Sequence, residues 1–142
     1  AHMDVVSPMP IFNLYNTEWP VYTSYGPQPP VKLVQGANGS HAATDEALLS
    51  PGVVVSGGSV TRSVLSPDVR VEDGADVTGS VLLNGVTVGA GAVVRNTILD
   101  KNVVVPPGAS IGVDAEADRA RGFLVTDGLT VLGKDQPFPT DA

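Results

Sequence analysis

The chain has no cysteine, so neither a disulfide framework nor a thiolate metal site is open to it. Aromatic residues are scarce, at 5% of 142. Basic residues are also few: eight lysines and arginines stand against fifteen acids, for a net charge of −7. That balance argues against nucleic acid or an anionic membrane surface as a partner, since both require a basic face. It leaves room for a small phosphorylated ligand, which needs only a few converging cations. No apolar run approaches the roughly 18 residues of a membrane span. No secretory signal is expected, and the expected compartment is the cytoplasm. Histidine is limited to His2 and His41. His41 falls in a loop-like stretch over 36–47 and reads as an exposed loop residue. Ala1-His2-Met3 reads as a cloning scar and is set aside. The natural piece is then expected to begin near Asp4, as a fragment of a longer protein.

What the chain does have is a period. Written in rows of 17 residues, the stretch from Val54 to Ile111 aligns with itself. Val54, Val71, Val88 and Val105 share a column, as do Val60, Val77, Val94 and Ile111, and Leu65, Leu82 and Leu99. Gly57, Gly74, Gly91 and Gly108 form another, and Ser63, Ser80 and Thr97 another. The row drifts only at its start, where Val55 serves as well as Val54. A fixed internal period names an architecture before any local propensity does. Three aliphatic columns per row imply three short strands per coil, with coils stacked to share one core. Glycine suits one corner and the pairs Pro67-Asp68, Asn84-Gly85 and Lys101-Asn102 suit a second. The expected fold is all-β: a parallel β-helix of triangular section, a little over three coils and about 15 Å tall at ~4.8 Å per layer.

The expected organisation is a scar at 1–3, a linker strap at 4–46, the β-helix at 47–113, a short helix and hairpin at 114–134, and a frayed tail at 135–142. The strap has no helical period and carries most of the aromatic mass, including Phe12, Tyr15, Trp19 and Tyr22. Those residues are expected to pack on the end of the stack or on a missing domain, with a sugar-binding platform as the sharper alternative. Ser56-Gly57-Gly58-Ser59-Val60-Thr61-Arg62 looks like a phosphate loop. It lies inside the repeat, with strand expected on both sides, and so reads as a corner. Asp114 is placed to cap the helix, whose Glu116, Asp118, Arg119 and Arg121 give it a charged face. Asp127-Gly128 marks the hairpin turn.

Catalytic constellations are missing. Hexapeptide-type β-helices that transfer acyl groups need a histidine base, and carbonic-anhydrase-like ones need three histidines. There is no Ser/His/Asp or Cys/His set. The adjacent acids Glu72 and Asp73 are placed to point to opposite faces. The residues alone describe a non-catalytic module.

A set of longer matches carries a family resemblance. They are Pro10-Ile11-Phe12-Asn13-Leu14-Tyr15-Asn16 with Trp19-Pro20, Pro29-Pro30-Val31-Lys32, and Ile98-Leu99-Asp100-Lys101-Asn102-Val103. Ile111-Gly112-Val113-Asp114, Asp118-Arg119 and Leu129-Thr130-Val131-Leu132-Gly133-Lys134 complete them. Over residues 4–134 the chain resembles the C-terminal domain of bacterial ADP-glucose pyrophosphorylase (glucose-1-phosphate adenylyltransferase). The resemblance implies a left-handed β-helix that serves allostery and oligomerisation in a homotetramer of glycogen synthesis. It implies that the catalytic domain, with its ATP and magnesium, lies outside this chain, which should be inactive alone and hold no cofactor. The implied partners are that catalytic domain, sister subunits, and a sugar-phosphate or glycolytic-acid effector. In photosynthetic members two lysines of this domain are linked to activator binding, and Lys101 and Lys134 match them by motif. Arg119 and Arg121 are expected to join them on the effector phosphate. The alternatives are a purely structural assembly module, or the solenoid of another sugar-nucleotidyltransferase.

Overall fold

A computed structural model describes residues 1–24 and 26–139. A four-residue helix, α1 (His2–Val5), opens the chain. The solenoid then begins with β1 (Lys32–Val34), β2 (Ala43–Asp45) and β3 (Leu48–Leu49). The second turn is β4 (Val54–Ser56), β5 (Ser59–Thr61) and β6 (Val64–Leu65), and the third is β7 (Arg70–Val71), β8 (Asp76–Thr78) and β9 (Val81–Leu82). The fourth is β10 (Thr87–Val88), β11 (Val93–Arg95) and β12 (Thr97–Leu99). β13 (Val104–Val105) and β14 (Ser110–Ile111) give two sides of a fifth. After α2 (Ala115–Ala120), the hairpin of β15 (Leu124–Thr126) and β16 (Leu129–Leu132) supplies the third side, with β16 parallel on β12 and β15 antiparallel on β16. The three sheets run β1-β4-β7-β10-β13, β2-β5-β8-β11-β14 and β3-β6-β9-β12-β16-β15.

The parallel β-helix expected from the period is present, but it starts earlier. β1 and β2 lie in the stretches expected to be strap and loop, and they pair with β4 and β5. The repeat hid this first turn because residues 35–42 interrupt it. Asp73 seats that interruption: its Oδ2 accepts from the Asn38 amide at 2.8 Å. At the start of the row Val55, not Val54, pairs with Val71, which places the drift in the first sheet.

Strands of two or three residues hold together because every inward side chain meets its copy in the next layer. Val55, Val71, Val88 and Val105 stack along one wall, Val60, Val77, Val94 and Ile111 along the second, and Leu65, Leu82, Leu99 and Leu132 along the third. All are buried, and each contributes about 1.5–3 kcal/mol. Beside the leucines runs a buried hydroxyl ladder. The Ser80 amide donates to Ser63 Oγ at 3.1 Å and the Thr97 amide to Ser80 Oγ at 3.2 Å. Each hydroxyl donates in turn to a carbonyl two residues back, on Thr61, Thr78 and Arg95. The column of Ser63, Ser80 and Thr97 is therefore a polar spine in which each hydroxyl is satisfied.

All three corners need left-handed backbone. One is the glycine column. The second is Gly52, Asp68, Gly85 and Asn102, with φ of 82°, 64°, 73° and 64°. A third, not apparent in the period, is Glu46, Arg62, Gly79 and Asn96.

The far end is closed by α2 and the tail. Asp114 Oδ1 caps the helix by accepting from the amides of Glu116 and Ala117. Asp118 does not join a charged face: it is fully buried. Its Oδ2 accepts from the Gly112 amide at 2.7 Å and from Thr130 Oγ1 at 2.9 Å, and its Oδ1 from Arg121. One carboxylate thus binds the last turn, the helix and the hairpin. Nor is the described part of the tail frayed. Phe138 meets Phe123 edge-on at 5.2 Å between centroids, and the Asp135 amide is bonded into the solenoid.

Candidate functional site

The second corner carries the candidate site. At each layer the residue in left-handed conformation donates its amide to a carbonyl of the layer before. Gly85 bonds Pro67 O, Asn102 bonds Asn84 O, and Asp135 bonds Lys101 O at 3.0 Å. The residue just before each donor occupies an equivalent place, so Pro67, Asn84, Lys101 and Lys134 form one column. In sheet register Leu99 pairs with Leu132, two residues before each lysine. Lys101 and Lys134, 33 positions apart in sequence, are therefore neighbours one layer apart, about 4.8 Å along the stack.

Both side chains are exposed. Lys134 Nζ lies 3.7 Å from Asp135 Oδ2, and Asn102 Nδ2 donates to Asp135 Oδ1 at 2.8 Å. No carboxylate lies within ion-pairing distance of Lys101 among the described residues. Like charges facing each other across adjacent strands repel. An anion over this corner would relieve that repulsion, with two flexible ammonium groups as point charges.

The arginines are placed differently. Arg119 is half exposed on α2 and pairs with Glu116 one turn away. The Arg121 side chain is only 17% exposed. Its Nη2 donates to Ser110 O and to Asp118, and its guanidinium lies over the Phe123 ring at 5.1 Å. Arg121 is built into the end cap. The geometry brings together the two lysines of the four expected cations and ties Arg121 to the fold.

The Ser56–Arg62 stretch is a corner with strand on both sides. Gly57 has φ 69°, and a Cβ on Gly58 would stand 2.7 Å from Val71 Cγ1. His41 is exposed. No group of three or more His, Cys, Asp or Glu side chains able to hold a metal occurs among the described residues. No helix among them is long and apolar enough to cross a membrane.

The structure corrects one expectation about the strap. Ile11, Tyr15, Trp19 and Tyr22 do not pack on the end of the stack; each is at least 77% exposed. The outer face of the third sheet is apolar instead of polar, through Leu48, Val64, Val81, Ile98 and Val131, and α1 lies beside it, with Met3 near Val81 and Ile98.

A sequence model described as GlmU-like, C-terminal hexapeptide matches residues 29–132. The chain is 64% identical over 140 residues to the glucose-1-phosphate adenylyltransferase of Paenarthrobacter aurescens, covering 98% of this chain and 30% of that protein. It is 54% identical over 140 residues to that of Arthrobacter sp. FB24, with 98% and 30% covered. It is 58% identical over 135 residues to that of Bifidobacterium animalis subsp. lactis, with 94% and 32% covered. The chain spans about a third of the length of these curated relatives and matches their C-terminal part. With the triangular solenoid in place from Lys32 to Leu132 and this match over most of its length, the chain belongs to the GlmU-like C-terminal hexapeptide family.

Proposed function

We propose that this chain is the regulatory and assembly domain of a glucose-1-phosphate adenylyltransferase. The enzyme's reaction converts ATP and glucose 1-phosphate to ADP-glucose and pyrophosphate in the cytoplasm, toward glycogen. The nucleotide chemistry, with its ATP and magnesium, belongs to a catalytic domain outside this chain. The corner at Lys101 and Lys134 binds the phosphate or carboxylate of a sugar-phosphate or glycolytic-acid effector. The observation that carries this reading is the Asp135–Lys101 backbone bond, which sets two lysines one layer apart with Lys101 unpaired by any described acid. Arg119, half exposed on α2, is the further cation available to a larger effector. Arg121 contributes by holding α2 in place.

The test is the ratio of activated to unactivated rate in the full-length enzyme. Lys101→Ala and Lys134→Ala should each lower that ratio and raise the effector concentration needed. A ratio unchanged in both variants would overturn the assignment.

A second reading, a purely structural assembly module, is favoured by the apolar outer face of the third sheet. In that case sister subunits of a homotetramer cover the half-buried Leu48, Ile98 and Val131, which flank the already buried Val64 and Val81, and light scattering of this chain should report an oligomer. A strict monomer counts against it.

A further inference from the structure

The corner that holds the two lysines already contains an anion, the carboxylate of Asp135. Its Oδ1 accepts from Asn102 Nδ2 at 2.8 Å, and its Oδ2 stands 3.7 Å from Lys134 Nζ. The bond from Asn102 has an ordinary length. The approach to Lys134 is roughly 1 Å longer than a charge-assisted hydrogen bond, so the ammonium is held loosely and keeps donors open. Both side chains of that ion pair are more than half exposed, and such pairs contribute little to stability.

The backbone beneath the carboxylate is fixed. Residues 133–136 form a turn, closed by the Gln136 amide on Gly133 O at 3.2 Å and by the Gly133 amide on Gln136 Oε1 at 3.1 Å. Asp135 takes φ of 55° in it and donates its amide to Lys101 O. Left-handed backbone strains a residue with a Cβ, and Gly85 fills the same column without strain. The turn therefore does not account for a carboxylate at this place. Asn102 is set by its own neighbour. A Cβ on Gly85 would stand 2.8 Å from Asn102 Oδ1, and that leaves Nδ2 to face Asp135. Two donors thus converge on one carboxylate. A phosphate over Lys101 and Lys134 meets that carboxylate as a like charge and as a rival for Lys134.

We infer that Asp135 is an internal counter-ion of the effector site. In the free chain its carboxylate occupies Lys134 and Asn102, and an incoming phosphate displaces it and takes both donors. This rests on the reading that Lys101 and Lys134 bind an effector. The arrangement sets the threshold of the site. Binding includes breaking the Asp135 contacts, so the effector must reach a higher concentration before the corner fills. Asn102 joins the groups that hold the ligand, as a neutral donor to a phosphate oxygen. Lys101, within ion-pairing distance of no described acid, is the cation that meets the ligand first.

The test is a titration of the isotope-labelled chain with inorganic phosphate at constant ionic strength, followed by NMR. The backbone amides of Lys101 and Lys134 report binding, and the side-chain amide of Asn102 reports its contact with Asp135. Asp135→Asn removes the charge while keeping a residue that tolerates left-handed backbone. Phosphate should bind this variant roughly twofold to fivefold more tightly, the worth of an exposed ion pair. Asp127→Asn is the matched control. Asp127 is another exposed, left-handed aspartate, at the opposite end of β16, and its loss should leave the affinity unchanged. In the unsubstituted chain the Asn102 side-chain signal should move with the same midpoint as the two backbone amides. Equal or weaker binding in Asp135→Asn would overturn the inference. So would an equal gain in both variants, which points to net charge alone, or phosphate binding that leaves the Asn102 side chain unmoved. The two levels fail separately. Each of those results, obtained while the Lys101 and Lys134 amides respond, removes only the counter-ion. No response of those amides in any of the three proteins removes the effector site, and the counter-ion with it.

Discussion

The amide of Asp135 donates to the carbonyl of Lys101 at 3.0 Å, and that one bond continues a solenoid corner past the point, after Ile111, where the 17-residue repeat stops. It places Lys134 over Lys101 as each earlier corner residue is placed over its predecessor. Two lysines thereby share a small surface on a chain of net charge −7.

Removing either ammonium group should weaken effector binding by roughly tenfold to a hundredfold, the worth of one charge-assisted hydrogen bond of about 1.5–3 kcal/mol. Folding stability should stay within about 0.5 kcal/mol, as for exposed sites generally. Titration calorimetry and denaturant unfolding of Lys101→Ala and Lys134→Ala check the two halves separately. A large stability loss would mean that these lysines are part of the fold.

Asp118 should behave in the opposite way. Its side chain is 1% exposed and joins Arg121, Gly112 and Thr130. Asp118→Ala takes the acceptor from the Gly112 amide and the Thr130 hydroxyl inside the end cap, and an unsatisfied buried donor costs about 1–3 kcal/mol. Urea unfolding should show that loss, with hydrogen exchange rising first over residues 115–132. Exchange that rises uniformly along the solenoid would contradict the placement of Asp118 as a local tie.

The hydroxyl spine makes a subtler prediction. In Ser80→Ala the Thr97 amide loses its acceptor inside the core, and an unsatisfied buried donor costs about 1–3 kcal/mol. Ser59→Ala, on the outer face of the second sheet, should change stability by no more than about 0.5 kcal/mol. Thermal melts of both variants test the contrast, and equal melting temperatures would remove the spine's role.

Two glycines of one column separate backbone strain from crowding. Gly57 and Gly91 have φ of 69° and 68°. A Cβ at Gly57 would stand 2.7 Å from Gly36 Cα, whereas at Gly91 it meets nothing within 4 Å. Gly91→Ala should carry only the left-handed penalty of about 1–2 kcal/mol. Gly57→Ala should cost more, because the 36–40 loop must move. Equal losses in urea unfolding would show that the loop yields freely.

The fold was legible where the chain repeats and obscure where it is interrupted. Stacked layers demand the same residue at the same place, so Leu65, Leu82 and Leu99 announced themselves. The first turn did not, because residues 35–42 break its spacing and Leu33 stands in no column. The corner at Arg62, Gly79 and Asn96 escaped notice because unlike residues adopt the same left-handed backbone there. Lys101 and Lys134 entered through the family resemblance; their adjacency follows only from β16 completing the third sheet. Asp118 looked like one of several charges on a short helix. Nothing in its neighbours said that its carboxylate would turn inward, since its partners Gly112 and Thr130 are supplied by the tertiary fold.

The most direct measurement is calorimetric titration of this chain with fructose 6-phosphate, fructose 1,6-bisphosphate, phosphoenolpyruvate and AMP, at low and moderate salt. The account predicts saturable binding of at least one of them, weakened by salt and lost in Lys101→Ala or Lys134→Ala. Binding that survives both substitutions, or no binding of any of the four, would contradict an effector site at this corner of the solenoid.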